Sequence, residues 1–181
     1  MGVEGMAANR YFDVFPILMT QQRDGFPFNG RNRRPPKDAV NAMLSLAYTL
    51  ITNDVAAALE TVGLDPYVGF LHTLRPGRAS LALDMTEELR AYLGDRFVFS
   101  LINRRQITPQ DFLYQREQGV TMTDNGRRTF LTAWQNRKRE TLVHPYLDEK
   151  IPVGLVPHAQ AMLLARYVRG DIDDYPVFLI K

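Results

Sequence analysis

Three carboxylates and one imidazole carry the first chemical signal in this sequence. His72 leaves an apolar stretch in "GFLH" (69–72), "TLRPGR" follows, and a helical pattern opens in "ASLALDMTEELR" with Asp84, Glu87 and Glu88. On a helix, side chains three and four apart are neighbours, with Cβ atoms about 5–6 Å apart. Carboxylates that close repel, which raises the pKa of one unless a cation lies between them. A divalent ion resolves the conflict. The imidazole of His72 would add a nitrogen ligand, and such a mixed set suits Mn2+ better than the oxygen-preferring Mg2+. The plain alternative is a loop entering an amphipathic helix whose first-turn acids favour the helix dipole and face solvent. The pattern alone leaves both open and leans to the plain one.

The elements that must position these residues read as mainly α. Apolar side chains at Val3, Met6, Ala7, Phe12, Phe15 and Leu18 or Met19 recur at helical spacing over 3–19. A Gly-, Pro- and Arg-containing segment at 20–36 is expected to be a flexible loop. Pro36 then stands near the start of a long helix over 37–62, with Gly63 as its C′ residue. "LDPYVGFLH" is loop or short helix, and Ser80 is placed to cap a helix running to about Asn103. "TPQD" (108–111) predicts a further helix ending at Gly119, "VTMT" (120–123) a strand, and "DNG" (124–126) a turn. Helices over 127–143, with Trp134 inward, and from Pro157 to Gly170 complete the chain. There is no internal repeat and no low-complexity segment.

Composition narrows the function. The 181 residues suit one domain, able to bury roughly 70% of its unfolded surface. The absence of Cys excludes disulfides, thiolate metal clusters and cysteine nucleophiles. No run of about 18 apolar residues predicts a membrane span, and no basic segment precedes an apolar one at the N-terminus, so the expected location is cytoplasmic. Of the 22 basic residues 18 are Arg, whose planar fork of donors matches carboxylate and phosphate. They fall in separate clusters: "GRNRRPPK" (30–37), "LRPGR" (74–78), "NRR" (103–105), "GRR" (126–128) and "NRKR" (136–139). If these share a face they form a phosphate-binding track, with Arg33, Arg34, Arg75, Arg78, Arg104, Arg137 and Lys138 as the candidate DNA contacts. His144, His158 and Tyr48 read as structural or surface residues rather than ligands.

The ordered series "RNRRPPKDAVNAMLSLAYTL", "VGLDPYVGFLH", "GRASLALDMTEELR", "LINRR" and "QAMLLARYVRGD" resembles the CRISPR-associated integrases and nucleases of the Cas1 family, most closely its type I-C branch. The resemblance runs over nearly the whole chain. It implies the helical C-terminal catalytic domain of that family as a single domain over 1–181, with the family's N-terminal β domain missing. It implies a metal site whose ligands fall on Glu4 (in "VEGMAANRYFDVF"), His72 and Glu87, with Asp84 as their close partner, and Mn2+ or Mg2+ as the ion. It also implies double-stranded DNA as substrate (spacer precursor and CRISPR repeat), the small Cas2 protein as partner, and a homodimer.

Chemistry and resemblance converge on strand transfer. A 3′-hydroxyl attacks a phosphodiester in line, and negative charge builds on the phosphoryl oxygens. Carboxylates and imidazole would serve as ligands, and Arg75 and Arg78 would neutralise the phosphate. Water in place of the hydroxyl turns the same site into a nuclease. The contrasting expectation is a catalytically silent, Arg-rich helical module that binds DNA or a partner. A ligand at Glu4 stands where helices fray, so weaker Mn2+ affinity is expected than in a chain extended by a β domain. Calorimetry on both chains checks this, and equal affinities count against it.

Overall fold

The computed structural model describes residues 2–73, 75–115 and 119–180, the side chains of Val3 and Glu4 excepted. It is mainly α: α1 (Val3–Asp13), α2 (Phe15–Leu18), α3 (Ala39–Thr61), α4 (Ser80–Leu89), α5 (Arg96–Asn103), α6 (Asp124–Arg139) and α7 (Val156–Val168). Two small antiparallel hairpins interrupt the helices: β1 (Phe112–Gln115) with β2 (Gly119–Met122), and β3 (Thr141–Val143) with β4 (Lys150–Pro152). The chain divides into two compact units, residues 1–46 with 96–134, and residues 47–95 with 135–181.

The first unit is built on aromatic contacts. Phe15 is fully buried between Phe12, Phe28 and Phe99, with ring centroids 4.9, 5.4 and 4.8 Å away. Phe97 meets Phe130 and Trp134 edge-on, each at 5.1 Å, so Trp134 is inward as its place in the pattern predicts. The segment 20–36 sends Phe26 and Phe28 into this core, and Gln22 donates from its amide to the carbonyls of Ile102 (2.8 Å) and Ile107 (3.0 Å). Asp38 caps α3, its carboxylate accepting from the Asn41 amide at 2.8 Å. At the far end Gly63, at φ +81°, closes the helix with the Leu64 amide on the Leu59 carbonyl at 2.9 Å. α3 is the one described helix long and apolar enough to cross a membrane by composition. In this fold it is a core helix that buries Val40, Met43, Leu44, Ile51, Val55 and Leu59.

Five expectations from the pattern change. The helix over 3–19 breaks at Val14, before Pro16 in the first turn of α2. Ser80 is not a cap: it lies inside α4, fully buried, and the cap position belongs to Ala79. "TPQD" does form reciprocal bonds between Thr108 and Asp111, but the chain leaves after one 3-10 turn and becomes β1. Phe112, Leu113 and Tyr114 favour the extended form, and Val120 of the partner strand is tied to the Pro36 carbonyl at 2.8 Å. "DNG" is the first turn of α6 rather than a turn of its own, because the Thr123 hydroxyl caps the Gly126 amide at 3.0 Å. Finally, the helix predicted from Ser80 to Asn103 is α4 and α5 joined by a π-helical segment, Arg90–Asp95.

The second unit packs the rest of α3 with α4, α7 and the C-terminal segment. Within this largely apolar interior lies a polar network. Glu88 accepts hydrogen bonds from the Gln160 amide (3.2 Å), the Phe178 backbone (2.8 Å) and the Tyr175 hydroxyl. Phe178 is buried, with the rings of Tyr92 and His144 at 5.8 and 5.7 Å, while its neighbours Val177 and Leu179 stay exposed. His144 is 1% exposed; its Nε2 donates to Gln160 at 3.0 Å and its Nδ1 accepts from the amides of Tyr146 and Leu147. Burial lowers its pKa below 6.5, against the opposing pull of Gln160 and Glu88. Between the folded and unfolded values the unfolded chain holds a proton that the native one does not. The stabilisation is therefore complete above 6.5 and is lost as pH falls below it. Unfolding free energies from urea titrations between about pH 7.5 and about pH 5.5 should fall with a slope of up to about 1.4 kcal/mol per pH unit, and His144→Gln should flatten that fall.

Candidate metal centre

The loop before α4 is folded around a single carboxylate. Asp84, one turn into α4, has a side chain 7% exposed. Its Oδ2 accepts from the amides of Phe70 (2.6 Å) and Leu71 (2.9 Å), and its Oδ1 from the amide of His72 (3.0 Å). The fourth contact is the His72 ring, with Nδ1 2.5 Å from Oδ1. Three successive amides aimed at one anion need the backbone to pass close to α4, and Gly69 permits it. A Cβ there would lie 2.7 Å from Ser80 Cβ and 2.8 Å from Asp84 Oδ2. Burial raises the Asp84 pKa, and the bonds from the Leu71 amide, the His72 ring and the amides of Phe70 and His72 outweigh it, leaving the carboxyl below 3.8.

An ionised Asp84 can only accept, so Nδ1 of His72 carries the proton that it donates. In the neutral ring the other nitrogen, Nε2, is then left with its lone pair, and the His72 side chain is 29% exposed. A carboxylate that fixes the tautomer and raises the basicity of an imidazole is the recurrent support of a metal-binding histidine. Asp84 is thereby the orienting group, with both oxygens engaged.

Glu87 lies one turn further along α4, 45% exposed, its Oε2 2.7 Å from the guanidinium of Arg90. The donor types fit a divalent ion: an imidazole nitrogen with its lone pair available and an exposed carboxylate. Among the described residues, no three His, Asp or Glu side chains already gather as a cluster. Glu4 is on α1 in the first unit, and its side chain lies outside the described residues. Glu88, one of the three acids of the opening motif, is committed instead to Gln160, Tyr175 and Phe178.

The candidate DNA contacts divide between the units. Arg33 and Arg34, before α3, and Arg104, after α5, are exposed in the first. Arg75 is exposed and Arg78 half-buried in the second, in the turn between His72 and α4. Arg137 and Lys138 have partners inside the second unit. Arg137 pairs with Glu140 and lies 5.1 Å over the Tyr92 ring, and Lys138 binds Asp54 at 3.0 Å. Sequence reading did not single out Arg90, Asp95 or Gln160. Arg90, three residues after Glu87, had a readable signal in its i,i+3 spacing; the other two become visible only through tertiary contacts.

With this geometry in place, comparison sets the class. The profile described as "CRISPR associated protein Cas1" matches residues 1–136. The chain is 57% identical over 178 residues to "CRISPR-associated endonuclease Cas1 1" of Chlorobaculum tepidum, covering 98% of this chain and 52% of that protein. It is 48% identical over 180 residues to "CRISPR-associated endonuclease Cas1" of Leptospira interrogans, covering 99% of this chain and 70% of that one. These are CRISPR-associated nucleases, and the chain belongs to the Cas1 family. It spans about half the length of the Chlorobaculum relative. Among solved structures, a casposase bound to its integration product matches with TM-score 0.84 at 26% identity, covering 99% of this chain and 52% of that one. A Cas1 protein from Thermotoga maritima matches with TM-score 0.80 at 27% identity, over 93% and 51%. Cas1 within a Cas6-RT-Cas1–Cas2 complex matches at 0.81 and 26%, over 98% and 19%.

The tautomer is directly measurable. Long-range proton–nitrogen NMR spectra should show neutral His72 protonated on Nδ1. Asp84→Ala should return it to the Nε2-protonated form that free histidine prefers, with the fold checked by circular dichroism.

Proposed function

We propose that this chain carries the catalytic region of a divalent-metal-dependent DNA integrase and endonuclease of CRISPR adaptation. The observation that supports the reading most is the Asp84–His72 pair, which leaves Nε2 of the neutral ring available, with Glu87 one turn along α4 from Asp84. His72 and Glu87 would hold Mn2+ or Mg2+, with Glu4 assigned to the same set by the family motif. When bound, the ion would polarise a phosphoryl oxygen and lower the barrier to in-line displacement. Asp84 keeps the His72 ring in one orientation throughout. Arg75 and Arg78, in the turn before α4, would neutralise the phosphate under attack. The 3′-hydroxyl of the incoming strand forms a new P–O bond as the old one breaks, and the displaced strand leaves with its own 3′-hydroxyl. With water as the nucleophile the outcome is cleavage.

The same reading makes double-stranded DNA the substrate, both spacer precursor and CRISPR repeat, and Cas2 the partner. The family likeness and the assemblies in which matching structures were solved support it. A homodimer and a cytoplasmic location belong to this proposal too.

A Mn2+ titration followed by calorimetry and by the ion's spin-resonance signal tests it. Saturable binding is expected in the unmodified chain, weaker by more than about 100-fold in His72→Ala and Glu87→Ala. Strand transfer should disappear in both, while duplex affinity measured without Mn2+ changes little. If neither substitution alters Mn2+ binding and only Arg substitutions lower duplex affinity, the chain is a silent binding module instead.

A further inference from the structure

We propose that Arg90 acts as a charge brake on Glu87, so that a divalent ion and a DNA phosphodiester bind this site with positive coupling that Arg90 sets. The inference rests on the metal site just proposed and concerns how its occupancy is controlled. Arg90 is not a loose surface cation. Its side chain is 19% exposed against 45% for Glu87, with the guanidinium 2.7 Å from Glu87 Oε2. The guanidinium also lies 5.6 Å over the ring of Tyr48. Tyr48 is fixed in turn, its hydroxyl 2.5 Å from Oδ1 of Asp95, a residue 2% exposed.

The π-helical segment Arg90–Asp95 supplies both ends of this arrangement, and such segments recur at functional sites. Its Gly94 leaves the space that the Tyr48 ring occupies: a Cβ there would lie 2.9 Å from Tyr48 Cε1. The positive charge is thus held beside the carboxylate by packing as well as by the ion pair. A guanidinium does not lose its proton in proteins, so the charge is permanent.

A divalent ion approaching His72 and Glu87 therefore meets a carboxylate already paired with a fixed cation. Asp84, the other acid near His72, spends its charge on three amides and the ring. Arg75 and Arg78, in the turn before α4, add further positive charge in the same unit. What His72, Asp84 and Glu87 lack for strong cation binding is uncompensated negative charge, and a phosphodiester brings it. The phosphate is attracted by the arginines and offsets their repulsion of the ion. By linkage each ligand then tightens the other by the same factor. A free ion would load poorly, and the site would be completed on its substrate.

The test measures Mn2+ affinity with and without a labelled duplex whose strands end in 3′-deoxynucleotides, so that strand transfer is blocked, with the duplex checked intact on a denaturing gel. In the unmodified chain the duplex should tighten Mn2+ binding by about fivefold or more. Arg90→Gln should bind Mn2+ alone about fivefold more tightly than the unmodified chain, with the duplex adding less than half the original factor. Arg90→Lys keeps the charge and should keep the coupling; if Arg90→Gln does not fold, loss of coupling in Arg90→Lys overturns the brake. Weaker Mn2+ binding in Arg90→Gln overturns it as well and makes Arg90 a support for Glu87. Unchanged coupling in Arg90→Gln overturns it too. A chain that takes up no Mn2+ with or without duplex, whatever stands at 90, removes the proposed metal site itself.

Discussion

The loop before α4 is organised around one buried carboxylate. Removing a charged group from water is costly unless hydrogen bonds replace the lost hydration, and Asp84 receives four of them from three successive residues. The compensation runs both ways. The carboxylate stays ionised because the amides of 70–72 point at it, and those amides, which have no strand or helix to bond to, are satisfied by the carboxylate. The loop is thus fixed to α4 with no regular structure of its own. His72 is part of the same closure, so its ring direction follows from folding rather than from a separate packing requirement. Gly69 is the steric condition for all of it.

The three acids of "LDMTEE" show how little spacing says about task. Asp84 turns to the loop, Glu87 is half in solvent against Arg90, and Glu88 enters a polar core with Gln160, Tyr175 and Phe178. The hundred-degree step between adjacent helix positions separates Glu87 from Glu88, and the C-terminal segment decides what Glu88 meets. Tyr175 illustrates the consequence: burial, then the charge and hydrogen bond of Glu88, push its hydroxyl well above its ordinary 10 and keep it a donor. An exposed carboxylate and a structural carboxylate therefore stand side by side on one helix, each held by a different neighbour.

Much of the helical frame was legible because its signals are local. Gly63 and Gly170 mark ends that hold in three dimensions, and the apolar stripe of α3 is its buried stripe. The hairpins were not legible. β1 follows a helix-start signal that does form, and what turns the chain extended is pairing with Gly119–Met122, whose place is set by contact with Pro36. Gly119 fits there only because it lacks a side chain, a Cβ being 2.4 Å from the Pro36 carbonyl. The π-helical segment also escapes sequence reading, since only Gly94 marks it and the reason for that glycine is a ring forty-six residues away in the chain. At the candidate site, the residue types and the pairing of His72 with an acid could be read from the motif. Which acid orients and which stays exposed could not, because that depends on the loop's amides.

The two groups proposed to hold a cation differ in the sign of what supports them. His72 leans on an anion, which makes its available nitrogen a better donor; Glu87 leans on a cation, which makes its carboxylate a poorer one. An imidazole is neutral when it binds a metal, so improving it costs the free protein no exposed charge. Improving the carboxylate would leave uncompensated negative charge beside whatever phosphate must later approach. Pairing it with a guanidinium held on Tyr48 avoids that repulsion while leaving the acid on the surface. On this argument the asymmetry follows from a site meant to receive an anion and a cation together: the neutral ligand is perfected in advance, and the charged one is held back.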